Sequence, residues 1–352
     1  MRIEPSRFIP ALRRLTLLMS TFALLVTALL IHGAAAPTVS WSTIDRDFER
    51  LAPGHNLLVA EFVGNRCQSI HGVNADTELA IASTFKLYVL GELARQVQGG
   101  QIDWDDQVTL QNDLRSMPSG DYAWASAGSR VSVQDLAAAM MRSSDNTATD
   151  HLIDRLGREQ VERAFAAFGH SDPDANVPLL MTRELFLIKM RQSDVWMTQY
   201  MAASNAEQLV MLQRDVSGGT IDPNGNWGHW NGPTAIDGIE WFATASDLCR
   251  VGVALWTMGA QPGMEPVREI LSGNRGGIDN SLTWPLVGFK NGYEAGVVNV
   301  TYVLERHDGR VFFVSAGFNH PSGIVQESSA RASLAPVFAC LATLRELSDC
   351  GD

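Results

Sequence analysis

Cysteine is scarce in this chain, with four in 352 residues, and none of their spacings matches a zinc site. No His-Glu-x-x-His pattern occurs, so the sequence offers no metal centre, and nothing in it asks for a cofactor. Basic residues are outnumbered, 27 Lys and Arg against 39 Asp and Glu, for a formal charge of −12. That balance argues against nucleic acid and anionic membrane as general partners. Low-complexity segments are missing, and 45% of the residues are hydrophobic, as expected of a globular chain with a large core.

The one long apolar run, Leu15 to Ile31, follows Arg7, Arg13 and Arg14 and leads into "HGAAAP". A basic start, an apolar middle and small residues read as an export signal over residues 1–36, cut near Ala35 or Ala36. The alternative is a retained membrane anchor, for which the run is slightly short. Removal is the expectation, leaving residues 37–352 as a periplasmic or secreted monomer without a membrane span. An oxidising compartment permits disulfides among Cys67, Cys249, Cys340 and Cys350, in any of three full pairings. Cys249 lies in an apolar helical pattern and reads as a buried free thiol. Cys350 could tie down the chain end through Cys67 or Cys340, and the sequence leaves the choice open.

In the mature chain, "STIDRDFERLA" reads as an amphipathic helix capped by Ser42. "NLLVAEFV" and "CQSIHGV" flank "GNR" as a hairpin. A long helical stretch follows, including "SVQDLAAAMMRSS", "NTATDHLIDRLG" and "ASDLCRVGVALWTMG". "VVNVTYVLER" and "RVFFVSAGFN" around an Asp-Gly turn then make two strands, before a final helix over residues 326–347. Strands at both ends imply an α+β fold, with an antiparallel sheet built from both termini and an inserted all-helical lobe. The sheet lobe would take about residues 37–83 and 281–352, the helical lobe about 84–280, with a site in the cleft between them.

Ser83 and Lys86 stand three apart in "ASTFK", where the first strands give way to the helices. One helical turn places such residues side by side. A lysine kept neutral can then take the proton of a serine nucleophile, although the spacing alone is a weak signal. Ser144-Asp145-Asn146 lies between two helical patterns; each residue caps helices well, and a capped loop also presents its side chains rigidly. Lys290-Asn291-Gly292 falls on the strand before the last hairpin, where Gly292 would let a substrate backbone lie against the edge.

The order Ser-x-x-Lys, Ser-Asp-Asn, Lys-x-Gly resembles the penicillin-recognising serine enzymes, and most closely the class A β-lactamases. "IASTFKLYVLGELA", "DDQVTL" and "MMRSSDNTATDHLI" are similar to that family's sequence around its motifs. The likeness is strongest from Asn56 to Leu156 and from Phe289 to Asn319. It implies the β-lactamase/transpeptidase-like fold, with a five-stranded antiparallel sheet, and a serine hydrolase needing no cofactor. By that resemblance Ser83 is acylated, Lys86 accepts or relays its proton, and Ser144 protonates the leaving nitrogen. Asn146 would bind the substrate amide, and Lys290 would face the substrate carboxylate. The N–H groups of Ser83 and Tyr293 would form the oxyanion hole.

Two departures stand out. Asn291 replaces the family's Thr or Ser; its amide can still donate to a carboxylate, with different reach. The family's Glu-x-x-Leu-Asn loop, whose Glu activates the deacylating water, is missing. Glu184 in "MTRELFLIKM" is its nearest counterpart, yet it reads better as a first-turn carboxylate of a helix capped by Thr182. The Gly- and Trp-rich stretch 217–241 is a candidate wall over the cleft, with Trp227, Trp230 and Trp241 as contacts. The alternative is a structural loop with inward-packed tryptophans, and His229 reads as a surface or packing residue. The leading expectation is β-lactam hydrolysis. Its rivals are a D-Ala-D-Ala peptidase or esterase, and a slow-deacylating protein that binds β-lactams or peptidoglycan-like peptides.

Overall fold

The computed structural model describes residues 40–222, 232–346 and 350. The expected signal segment and Trp227, His229 and Trp230 lie outside the described residues. Helix α1 (Trp41–Leu51) leads into the hairpin β1 (Gly54–Val63) and β2 (Arg66–Val73), then the short β3 (Leu79–Ala80). Ser40 rather than Ser42 is the N-cap of α1, two residues earlier than the sequence pattern suggested. A 3₁₀ turn (Ala82–Phe85) opens α2 (Lys86–Gln98). Strands β4 (Gln107–Thr109) and β5 (Arg130–Ser132) pair beside α3 (Val133–Arg142) and α4 (Asn146–Leu156).

Helices α5 (Arg158–Ala167), α6 (Thr182–Arg191), α7 (Asp194–Ala202) and α8 (Asn205–Met211) follow. Strand β6 (Phe242–Ala243) pairs with β3 and precedes α9 (Ala245–Met258) and α10 (Glu265–Leu271). The chain returns through β7 (Leu286–Glu294), β8 (Val297–Glu305) and β9 (Val311–Asn319) to α11 (Glu327–Ser333) and α12 (Ala335–Thr343). The expected single final helix is thus two. Pro336 has no N–H to continue a helix but fits the first turn of a new one.

The sheet order β2-β1-β9-β8-β7 is antiparallel throughout and draws strands from both ends of the chain, as the two-ended strand pattern implied. Strand alternation divides its side chains between two cores. Val287, Phe289, Val298, Val300, Phe312 and Val314 join the layer carrying α1, α11 and α12. The opposite face meets the helices through residues such as Ala60, Val303 and Phe313. Each fully buried Leu or Phe contributes about 1.5–3 kcal/mol of burial. The apolar alternation therefore fixes which way every β7 residue points. That places β7 at the sheet's free edge, beside the turn carrying Ser83.

Cys67 on β2 is bonded to Cys249 on α9, and Cys340 on α12 to Cys350. The free-thiol reading of Cys249 is corrected: helix α9 packs against β1, β2 and β9, bringing its buried face to the Cys67 strand. Of the two closures open to the C-terminal cysteine, the one through Cys340 is formed. Among the described residues no helix is long and apolar enough to cross a membrane, and no cluster of His, Cys, Asp and Glu suits a metal ion.

Candidate active site

Ser83 sits on the 3₁₀ turn that ends the first strand segment. Three contacts hold that turn. Ile81 N donates to Trp241 O at 2.8 Å, and the Trp241 ring stacks on Phe85 with centroids 3.9 Å apart. On the other side Gly292 of β7 presses against it: a Cβ there would stand 1.9 Å from Ile81 O and 3.0 Å from Ser83 N. The glycine therefore makes room for the chain's own turn. Ala82 is held at φ +43°, a left-handed value uncommon for a residue with a side chain. Trp241 is buried under the turn, the inward-packed alternative for that residue.

Lys86 enters the core as the first residue of α2 and is fully buried. Its Nζ donates to Ser144 O at 2.7 Å, Ser144 Oγ at 3.0 Å and Asn146 Oδ1 at 2.6 Å. Among the described residues no hydrogen bond joins it to Ser83 Oγ. The expected close contact between Ser83 and Lys86 is replaced by a bond from the lysine to the Ser-Asp-Asn loop. Burial first, and then the Lys290 charge, push Lys86 well below the usual lysine range.

The Ser-Asp-Asn residues divide their work. Asp145 is the N-cap of α4, accepting from Ala148 N at 2.8 Å and from Tyr122 N at 3.0 Å. Its carboxylate fills the space a Cβ on Gly120 would need, and Gly120, at φ +95°, turns the neighbouring loop around it. Ser144 is left at φ +56°, facing the lysines. Asn146 accepts from Lys86 and donates to Met117 O at 3.1 Å, which leaves one amide hydrogen for a ligand.

Lys290 reaches across from β7 and donates to Ser144 Oγ at 3.0 Å and Asn291 O at 2.6 Å. Burial lowers its pKa to about 7, and Glu327 opposes the shift. Asn291 points to the opposite face, where Nδ2 donates to Glu327 Oε2 at 3.0 Å. Tyr293, half exposed, follows on the same edge. The structure thus gathers Lys86, Ser144, Asn146 and Lys290 into one hydrogen-bonded group beside Ser83 and Gly292, and turns the Asn291 side chain away from it.

Glu184 is not part of that group. Its Oε1 accepts from Arg158 at 2.6 Å and its Oε2 from Met181 N at 2.9 Å, as a helix-starting carboxylate does. The N-cap is Met181, not Thr182. The Thr182 hydroxyl instead joins Ser116 Oγ, Asn146 O and Asp150 Oδ1. Buried Asp150, whose pKa burial raises to about 7, braces Asn146 from behind through that hydroxyl. A second buried charge group, Lys189 with Glu240 and Glu294, was also missed. Its members are 51 and 105 residues from the lysine, and only the periodicity of β7 hints that Glu294 shares a face with Lys290. A cavity of about 730 Å³ lined by Arg66, Cys67, Phe168 and Arg250 lies elsewhere and includes none of these residues.

A serine on a tight turn, two buried amines around one hydroxyl, and a free strand edge are the parts that a serine acyl-transfer site would need. Residues 57–222 match the family described as the Beta-lactamase enzyme family. No curated protein matches the chain significantly. Among solved structures, the β-lactamase from Sphaerobacter thermophilus DSM 20745 is 18% identical with a TM-score of 0.58, covering 88% of this chain and 98% of its own. A mutant of PBP-A, in an acyl-enzyme complex with penicillin G, is 16% identical with a TM-score of 0.56, covering 88% of this chain and 99% of its own. The β-lactamase from Francisella tularensis is 12% identical with a TM-score of 0.58, covering 85% and 96%. The chain has the β-lactamase-like fold, and its residues 57–222 match that family.

Proposed function

We propose that the chain is an exported serine hydrolase acylated at Ser83, acting on the amide of a β-lactam. The observation that supports it most is the Ser144 hydroxyl, 3.0 Å from both Lys290 Nζ and the Nζ of Lys86, which follows the Ser83 turn. Neutral Lys86 is the base. Its hydrogen bonds in the free protein run to Ser144 and Asn146, and it meets Ser83 only when substrate draws the group together, as catalytic contacts often do. The Ser83 oxygen attacks the carbonyl while the N–H groups of Ser83 and Tyr293 stabilise the oxyanion. Collapse of the tetrahedral intermediate breaks the C–N bond, and the proton reaches the leaving nitrogen through Ser144. Water then releases the acyl group and returns a proton to Ser83. The two disulfides and the basic-apolar N-terminal segment support export.

A second reading has its own support. Both Glu184 oxygens are engaged by Arg158 and Met181, so no free carboxylate of that helix serves the deacylating water. An acyl-serine would then persist, as in a binder of β-lactams or peptidoglycan-like peptides. A chromogenic cephalosporin with intact-protein mass separates the cases. Many turnovers support hydrolysis, and a lasting single adduct supports the binder. Activity confined to a D-Ala-D-Ala peptide or an ester means a different carbonyl substrate. Activity that survives Ser83→Ala defeats acylation at Ser83.

A further inference from the structure

The turn that presents Ser83 is gripped from two sides, and one buried side chain ties the two grips together. On one side stands Trp241, whose O accepts from Ile81 N at 2.8 Å and whose ring stacks on Phe85. On the other stands Gly292 of β7, where a Cβ would lie 3.0 Å from Ser83 N. Glu240 immediately precedes Trp241, and its Oε2 accepts from Trp241 N at 3.2 Å. Glu294 follows Gly292 by two residues, so the two share one face of β7. Lys189 of α6 donates to both carboxylates, at 2.8 Å to Glu240 Oε1 and 2.6 Å to Glu294 Oε1. The Lys189 and Glu240 side chains are fully buried and that of Glu294 nearly so, and water competes little for these bonds. The same helix meets the Ser-Asp-Asn loop at its other end, where Thr182 Oγ1 donates to Asn146 O at 3.2 Å.

The proposed proton transfers use none of these three groups, and burying such charges is costly even when they are paired. Apolar side chains of similar volume would pack there but set no direction, whereas charge-assisted hydrogen bonds fix both distance and angle. What they fix is the spacing between Trp241 and β7, the two segments on either side of the Ser83 turn. Tyr293 lies between Gly292 and Glu294, so its peptide is held at both ends. We propose that Lys189 is a positioning residue: by bridging Glu240 and Glu294 it holds β7 against the nucleophile turn and so sets the gap between the Ser83 and Tyr293 N–H groups. The inference rests on the reading of Ser83 as a nucleophile whose oxyanion those two groups bind. It gives a buried ion group a part in transition-state geometry without contact to substrate.

The test compares the mature protein with Lys189→Met and, as a control for lost stability alone, with a Cys67→Ala, Cys249→Ala variant that lacks the β2–α9 bond. Acylation by a chromogenic cephalosporin should slow about tenfold or more in Lys189→Met, at a temperature where it remains folded, and far less in the cysteine variant. Affinity for the same probe, read by calorimetry in a Ser83→Ala background, should stay within about threefold, since the oxyanion exists only after attack. Hydrogen exchange reads the clamp directly. In Lys189→Met the Ile81 amide should exchange roughly tenfold faster relative to the amides of β8, and in the cysteine variant that ratio should not move. Should Lys189→Met fold poorly, Lys189→Met with Glu240→Gln, which removes one charge of each sign, must reproduce both changes. An unchanged exchange ratio, an acylation loss no larger than that of the cysteine variant, or a loss carried by affinity overturns the inference. An unmodified protein that forms no adduct counts against Ser83 as nucleophile, while the exchange ratio still decides the clamp.

Discussion

The Lys86 and Lys290 amines each stand 3.0 Å from a single oxygen, Ser144 Oγ. Two ammonium groups that close, both buried, repel strongly, and the cheapest relief is loss of a proton from one. Both lysines are indeed lowered, Lys86 by burial and then by Lys290, and Lys290 by burial to about 7. In the proposed mechanism acylation needs Lys86 neutral and benefits from Lys290 charged. With Lys86 held well below the usual lysine range, the second-order rate constant should fall as pH passes about 7 and Lys290 loses its proton. Lys86→Arg, which stays charged, should lose about 10²–10⁴ in rate across the whole range. A flat profile from pH 5 to 9 would remove both lysines from the chemistry.

The same shift has a consequence for stability. In the unfolded chain Lys290 titrates near 10.5, and in the folded protein near 7. Between those values the unfolded state binds more protons, so stability attributable to this residue rises with pH. Below about 7 the buried charge exacts its full cost; above 10.5 it exacts none. Lys290→Met should accordingly stabilise the protein by a few kcal/mol at pH 6, with the gain shrinking toward pH 10. Urea midpoints at both pH values measure this, and a loss of stability at pH 6 would contradict it.

Gly292→Ala tests the packing that presents Ser83. The added Cβ would meet Ile81 O at 1.9 Å, so β7 and the turn must part. Overpacking of this kind costs about 1–3 kcal/mol or more. Because the same movement separates Ser83 N from the Tyr293 edge, acylation should fall more than stability does. Denaturation and acylation rates on one preparation compare the two, and near-normal acylation would show that the contact is incidental.

Much of this arrangement is legible in the sequence, because the signals are local. Ser83, Lys86, Ser144, Asn146 and Lys290 fall in short motifs whose order carries the information, and β7 to β9 show themselves by alternation and an Asp-Gly turn. What stays hidden depends on distant segments meeting. The Cys67–Cys249 bond spans 182 residues, and the apolar pattern around Cys249 suits a free thiol equally well. Glu327 reaches Asn291 across 36 residues and a change of layer. The role of Gly292 depends on how closely β7 approaches Ile81, a distance that no pattern of residue types encodes.

The Cys67–Cys249 bond closes a long loop between the edge strand β2 and helix α9. Removing it releases chain entropy in the unfolded state, worth about 2–4 kcal/mol. A Cys67→Ala, Cys249→Ala double variant should unfold at correspondingly lower denaturant and be insensitive to added reductant at that bond. Equal midpoints for the variant and the oxidised protein would show that the bond contributes nothing to stability.

Lys189 is as buried as Lys290, and its prediction has the opposite sign. Its Nζ stands 2.8 Å from Glu240 Oε1 and 2.6 Å from Glu294 Oε1. Burial alone would lower this lysine, but the two carboxylates reverse that and hold it above the usual range. Burial and the neighbouring Glu240 raise Glu294 well above the carboxylate range. Lys189→Met leaves two facing carboxylates without their counter-ion, and breaking such a buried group costs about 3–5 kcal/mol. Protonation of both carboxylates relieves the repulsion, so the loss should be largest at pH 8 and smaller at pH 5. Methionine at position 290 should thus stabilise the protein near neutral pH, and methionine at position 189 should destabilise it. Both are buried lysines; what separates them is whether the opposing charge lies within hydrogen-bond distance.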